Sequence, residues 1–479
     1  MSCERREGNA TPGLRVSRNV SGTNMGTVSA KGKRGRLGGA VVALCTTLCM
    51  ALPVVASGCK RPIVLPTEEV PESAVTRLAR TPAERKPSPG QTRVLGTGWY
   101  ANVEVDNGGT VHVAWTDADL GDVLYTTVPA GKTEAEVPEP VEVKGAVGSY
   151  LRLALAPGDV PVLSYYHQDR RMLRLAHRPA DLARLKEQGG ALDTPAQETE
   201  RHTVLVPGEK PPPDPSDGMG EGWHGEDVAF GDNVGMAGGL VVDKEGRAHL
   251  TYYTKNERFR YARRPKDKDA FGPHVAGIFD KLDVDERAGG SYTMSTDLAV
   301  LGDGTAVVSY CHWNYIDSQL RLGVLAPSAS SFTIVEAAPM LRMVDGWHST
   351  LLPKEGSLEV FSVATGEMKL FSGPFDPKTP APLAARDVLM ERPGPAVVRR
   401  GPDGTLWVLT RGQGYRTLGE EPGVWLVEVP GGDPAKARRL LLERGLSRDP
   451  WIDLAIRPDG RPVAVWTSRE TQSMKMYAP

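Results

Sequence analysis

The chain has 479 residues, 40% hydrophobic and 24% charged, with a formal net charge of −2. That composition is ordinary for a globular protein with a packed core. The charge is uneven: residues 1–60 hold nine Lys/Arg against two Asp/Glu, and the remainder 48 against 57. A mildly acidic body gives no reason to expect a nucleic-acid partner.

Residues 1–24 are polar and read as neither signal nor domain. Lys31, Lys33, Arg34 and Arg36 then form a basic cluster, and Leu37 to Gly58 follows without a charge, closing on Ala56-Ser57-Gly58-Cys59. A basic stretch, an apolar stretch and small residues before a cut make a secretory signal. The cysteine after glycine resembles the lipobox of bacterial lipoproteins, with Ala56 where leucine is more usual. The resemblance implies an acylated, palmitate-bearing Cys59 and cleavage just before it. An uncleaved transmembrane helix is the alternative, since the run is long enough to span a bilayer; Pro53 and the small residues suit cleavage better. Lys60 is not the aspartate that retains such proteins in the inner membrane, so the resemblance favours the outer membrane, with the protein facing periplasm or surface.

Residues 59–90 contain six prolines and no sustained periodicity, which predicts a semi-rigid tether. Of five cysteines, the resemblance implies that Cys3, Cys45 and Cys49 lie in the removed 1–58 segment and that Cys59 carries lipid. Only Cys311 remains, in an apolar-aromatic run, so no internal disulfide is expected.

Residues 91–479 repeat. A turn with glycine leads into an apolar strand in Gly109-Thr-Val-His-Val-Ala-Trp115, Gly246-Arg-Ala-His-Leu-Thr-Tyr252, Gly304-Thr-Ala-Val-Val-Ser-Tyr310 and Gly404-Thr-Leu-Trp-Val-Leu-Thr410. The same pattern begins at Gly158, Gly356 and Gly460, and a third strand such as Val123-Leu-Tyr-Thr-Thr127 follows each. Seven units of four short strands predict an all-β, seven-bladed β-propeller, six blades being the alternative count. Fourth strands are expected at Glu139–Val143, His202–Val206 and Arg438–Glu443. The seventh unit stops after its third strand, so Gln91-Thr-Arg-Val-Leu95 is expected to complete that blade and close the ring. The repeats resemble the sialidase-like propellers of bacterial lipoproteins in architecture, although they lack the Ser-x-Asp-x-Gly-x-x-Trp turn. Architecture alone implies little about function.

Loops between second and third strands and between units are expected to share one face. They carry Asp117, His167, Asp169, Arg170, His312, Asn314, Tyr315, Trp347, His348, Arg411 and Trp451 as ligand-binding candidates. Aromatic rings among Asp, Asn and Arg suit a glycan or a polar peptide; each residue alone also reads as satisfying its own turn. An insertion at about 182–235 holds Asp217, His224 and Asp227 among glycines. It reads as a flexible cover over the face, with oxygen ligation of Ca²⁺ as the weaker reading; no resident cofactor is expected. His-Glu-x-x-His, Gly-x-Ser-x-Gly and the phosphate-loop motif are absent. The expectation is a monomeric, membrane-anchored binding or scaffold protein with no assigned catalysis. The alternative is a carbohydrate-active hydrolase or lyase using an Asp or His on the channel face.

Overall fold

The computed structural model describes residues 84–85, 91–178, 217–231, 234, 238–254, 258–264, 280–285, 296–313, 318–337, 345–364, 369–383, 386–391, 393–412, 422–445, 451–468 and 471–479. All lie in one compact unit, Thr76–Pro479. Cys59, Asn314 and Tyr315 fall outside the described residues, as do the His202–Val206 segment and the Trp347 side chain.

The unit is a β-propeller; among the described residues its regular elements are strands apart from two short 3-10 turns at Pro430–Gly432 and Pro434–Lys436. Four separate sheets are four-stranded antiparallel meanders, each beginning with an inner strand: Ser149–Ala156, Leu240–Val242, Asp297–Val300 and Asp345–Lys354. A fifth begins at Ala396–Arg400 and ends at Arg438–Arg444, to which Glu84–Arg85 adds in parallel. The sixth has seven strands, because Thr92–Val105 serves two neighbours. Its first part runs antiparallel to Ser473–Tyr477, from Thr92 opposite Tyr477 to Thr97 opposite Ser473. Its second part pairs with Val111–Asp117, from Gly98 opposite Asp117 to Val105 opposite Val111. The expected joining of the two ends of the propeller is therefore present as a strand ladder, and it leaves no open edge there.

Local chemistry explains the repeat. In the turn Asp106–Gly109, the Gly109 N–H donates to the Asp106 carbonyl at 3.0 Å, and Asp106 Oδ1 accepts from Thr110 N at 2.7 Å. Gly109 has φ +87°, and Gly246, Gly304, Gly404 and Gly460 hold φ between +79° and +86° at the same place. A left-handed residue there costs least as glycine. The strand that follows is buried on both faces: Val111 to Thr116 are all buried, as are Val160 to His167. Sheets packed against neighbours on both sides need this, so the strands read as apolar runs rather than alternations. Apolar layers lie between consecutive sheets. Val113, Trp115 and Val128 pack on Val463, Val465 and Met476, and Tyr125 and Val141 pack on Leu151, Tyr165 and Trp223.

One strand differs from expectation. The fourth strand of the second unit is His224–Phe230, paired with Met172–His177, instead of His202–Val206. Glu226 and Asp227 make that stretch look like a polar loop, yet both are buried. Asp227 takes the Arg174 guanidinium at 2.8 Å, and Glu226 takes His177 at 3.1 Å and Arg264. Partners from other strands neutralise what the local sequence shows as charge. Among the described residues no helix is long and apolar enough to cross a membrane.

Candidate ligand site in the central channel

Inner strands of successive sheets converge on one cavity of about 280 Å³, lined by residues of 100–104, 150–153, 239–240, 296–297, 348–350, 395–399 and 451–453. Side chains stitch these strands together around it. Asn102 donates to the Leu151 carbonyl at 2.8 Å, and Arg152 Nε to the Gly238 carbonyl at 2.8 Å. Thr251 meets Thr296 at 3.4 Å, Asp297 Oδ2 accepts from Leu351 N at 2.7 Å, and Thr350 Oγ1 accepts from Val398 N at 3.4 Å. Arg399 reaches Asp453 at 3.5 Å, and Asp453 Oδ2 accepts from Val103 N at 3.0 Å, which returns to the first inner strand.

Three aromatic rings lie together on the cavity wall. Tyr100 and Trp451 have centroids 4.8 Å apart, Tyr100 and Tyr150 5.6 Å, and Tyr150 and Trp451 6.2 Å. Both tyrosines are left-handed, at φ 60° and 59°, and both sit where the ladder slips its register, between Trp99 and Asn102 and between Ser149 and Arg152. A bulge re-aims a side chain, and a left-handed bulky residue is a strained feature that functional sites tend to retain. The Arg152 guanidinium lies 5.0 Å from the Trp451 centroid, a cation–π contact.

The same wall carries Glu104, Asp297 and Asp453, with Arg152, Arg399 and His348. Burial pushes Glu104 up to about 7; Arg399 pulls it down, while Asp453 and Asp297 push it further up. Burial also raises Asp297 and Asp453, opposed by Arg399 and by the backbone N–H groups each accepts. Burial, then the nearby Arg152 charge, lowers His348 to about 4, so it is neutral at pH 7. Asp453 and Asp297 each place both oxygens on backbone N–H groups. Glu104 accepts no hydrogen bond among the described residues.

Of the residues singled out by sequence, Trp451 and His348 line this cavity. The others do not. Asp117 accepts from the backbone N–H groups of Asp119 and Leu120, and Asp169 from that of Ala146. Arg170 donates to the Asp217 carbonyl at 2.5 Å. His167 is 1% exposed, 3.5 Å from Glu142, whose other oxygen takes Tyr165 and Arg174; burial and then Arg174 hold His167 at about 4. His312 faces Asp285 at 3.3 Å, and buried Arg411 donates to the Thr467 carbonyl. Asp217 pairs with Lys144 and Asp227 with Arg174; with His224 they form no metal-ligand group, and no group of three such ligands occurs among the described residues.

Tyr100, Glu104, Tyr150, Arg152, Asp297, Arg399 and Asp453 were not singled out by sequence. One signal was present: Gly98, Gly148 and Gly346 stand two residues before Tyr100, Tyr150 and His348. A β-carbon at Gly98 or Gly148 would strike Thr116, which forces glycine there.

No family model and no curated protein matches the chain. Solved structures similar to it include the α-L-arabinofuranosidase Arb93A of Fusarium graminearum, 12% identical with TM-score 0.35 over 51% of this chain and 80% of that one. Another is the α-L-arabinanase of Penicillium chrysogenum complexed with arabinobiose, at 15% and 0.36 over 49% and 76%. AofleA of Arthrobotrys oligospora is 12% identical, at 0.41 over 75% and 96%. These likenesses are weak, and the propeller is defined by its own strand pairing.

Proposed function

We propose that this protein is an exported, lipid-anchored propeller of seven blades that binds a carbohydrate in its channel. The observation that carries the ligand class is the trio Tyr100, Tyr150 and Trp451 set over charged groups in one cavity. Sugars present apolar ring faces that stack on aromatic side chains, and hydroxyls that carboxylates and guanidiniums orient. Seven blades follow if the seven-stranded sheet counts as two blades sharing Thr92–Val105. Seven apolar layers, each joining consecutive units, and the closed circuit of inner-strand contacts support that count.

Titration with cellotriose, mannotriose and chitotriose, followed by tryptophan fluorescence, tests the ligand class. Trp451→Ala and Tyr150→Ala should each weaken binding at least about tenfold, roughly 1.4 kcal/mol, with thermal melts little changed. Undiminished binding in both variants would remove the channel reading. Cys59 supplies the anchor in this proposal. Cys59→Ser should abolish labelling by a radioactive fatty acid, and persistent labelling would end the lipoprotein reading.

A hydrolase or lyase is the second reading, favoured by three carboxylates sharing the cavity. Two of the three already stitch neighbouring inner strands through backbone N–H groups, which suits a framework better than a nucleophile or base. Release of reducing ends from the same oligosaccharides would bring the enzyme reading forward.

A further inference from the structure

We propose that Glu104 is the residue through which the channel reads a bound saccharide: it enters the complex as a neutral carboxylic acid and donates its O–H to a ligand oxygen, so that binding requires one proton. The inference rests on the carbohydrate reading above.

The other inner strands surround Glu104 with most of its charged neighbours. Strand Ser149–Ala156 supplies Arg152, Asp297–Val300 Asp297, Asp345–Lys354 His348, Ala396–Arg400 Arg399 and Ile452–Ile456 Asp453, while Leu240–Val242 and the residue before it line the cavity with Leu240 and Gly239. Three carboxylates thus face two guanidiniums and an imidazole. Arg399 is engaged with Asp453 at 3.5 Å and with the Val398 carbonyl at 3.1 Å. Arg152 serves the Gly238 and Leu151 carbonyls and the face of Trp451. Asp297 and Asp453 are held by two backbone N–H groups each, which favour the charged form. Glu104 has no hydrogen-bond partner among the described residues, and it shares its cavity with two carboxyl groups that backbone N–H groups hold. The odd proton of the cavity therefore belongs on Glu104.

Its midpoint near 7 places that proton in the physiological range. His348, at about 4, does not compete for it. A protonated carboxyl offers a donor, whereas a carboxylate only accepts. Below pH 7 the donor is present; as pH rises through 7 it is lost, and affinity falls by up to about tenfold per unit.

Calorimetric titration of the full chain with cellotriose, mannotriose and chitotriose, at about pH 5.5, 7 and 8.5 in buffers of unlike ionisation heat, tests this. The wild type should bind at least about tenfold more weakly at the highest pH than at the lowest, and should take up close to one proton there. Glu104→Gln keeps a donor without a titration, so its affinity should be flat with pH and no proton should be taken up. Equal wild-type affinity at all three values, with binding intact, would overturn the role of Glu104 and leave the carbohydrate reading standing. No binding of any of the three sugars at any pH would overturn both.

Discussion

Tyr100 and Tyr150 hold backbone conformations that cost about 1–2 kcal/mol each for a bulky side chain, and both sit at bulges that turn the ring toward the cavity. Tyr150→Gly should therefore keep or raise the melting temperature while abolishing sugar binding; a clear drop in melting temperature would show that the ring is structural. Asp453 behaves in the opposite way. Its carboxylate accepts from Val103 N and Leu454 N and faces Arg399, so Asp453→Ala leaves two amides and a guanidinium without it. The expected loss is about 2–4 kcal/mol in urea unfolding. A change below about 0.5 kcal/mol would mean that water replaces it fully. His167 also belongs here: read from sequence as an exposed loop residue, it is buried against Glu142. Its Ala variant should lower stability first.

At the scale of strands and turns, one device occurs twice among the described residues. His112 Nδ1 meets Tyr125 Oη while Nε2 faces Asp106 at 3.4 Å. His249 does the same with Tyr261 and, at 3.0 Å, with Asp243. Each triad ties the turn before the second strand to the third strand. Burial alone would raise Asp243, but hydrogen bonds from His249 and Arg247 bring it down to about 2. A depressed carboxylate stabilises the fold above its unfolded value near 4, and that stability is lost as pH falls through 2. Asp243→Asn should therefore melt lower than wild type at pH 7, and the gap should close as pH falls from about 4 to 2. A gap constant with pH would remove the ion from the account.

Across the whole molecule, closure carries the largest prediction. Trimming the chain to begin at 91 leaves the ladder between Thr92–Thr97 and Ser473–Tyr477 intact and, among the described residues, removes the two-residue parallel bridge at Glu84–Arg85. That variant should melt within a few degrees of the full chain. Beginning instead at 98 removes five paired positions and the packing of Leu95 against the layer around Met474 and Met476. The expected cost is about 3–5 kcal/mol together with aggregation through the opened edge. Equal melts for the two truncations would mean that the ring does not depend on this strand.

The repeat, the β class and the meeting of the two ends were legible because they depend on local spacing: a glycine turn, a strand buried on both faces, and one strand missing at one end and present at the other. Trp451 and His348 were legible as aromatic and polar residues next to inner strands. Glu104 was not. In Asn102-Val103-Glu104-Val105 the alternation reads as a half-buried strand with its polar side toward solvent, and Ile452-Asp453-Leu454 reads the same way. What the sequence cannot express is which solvent. Ring closure turns the polar sides of inner strands toward one another, so that residues as far apart in sequence as Tyr100 and Asp453 share a 280 Å³ cavity, and Glu104, Arg399 and Asp453 shift one another's protonation. Local pattern decides that a side chain faces water; only the tertiary arrangement decides that several such side chains face one shared cavity.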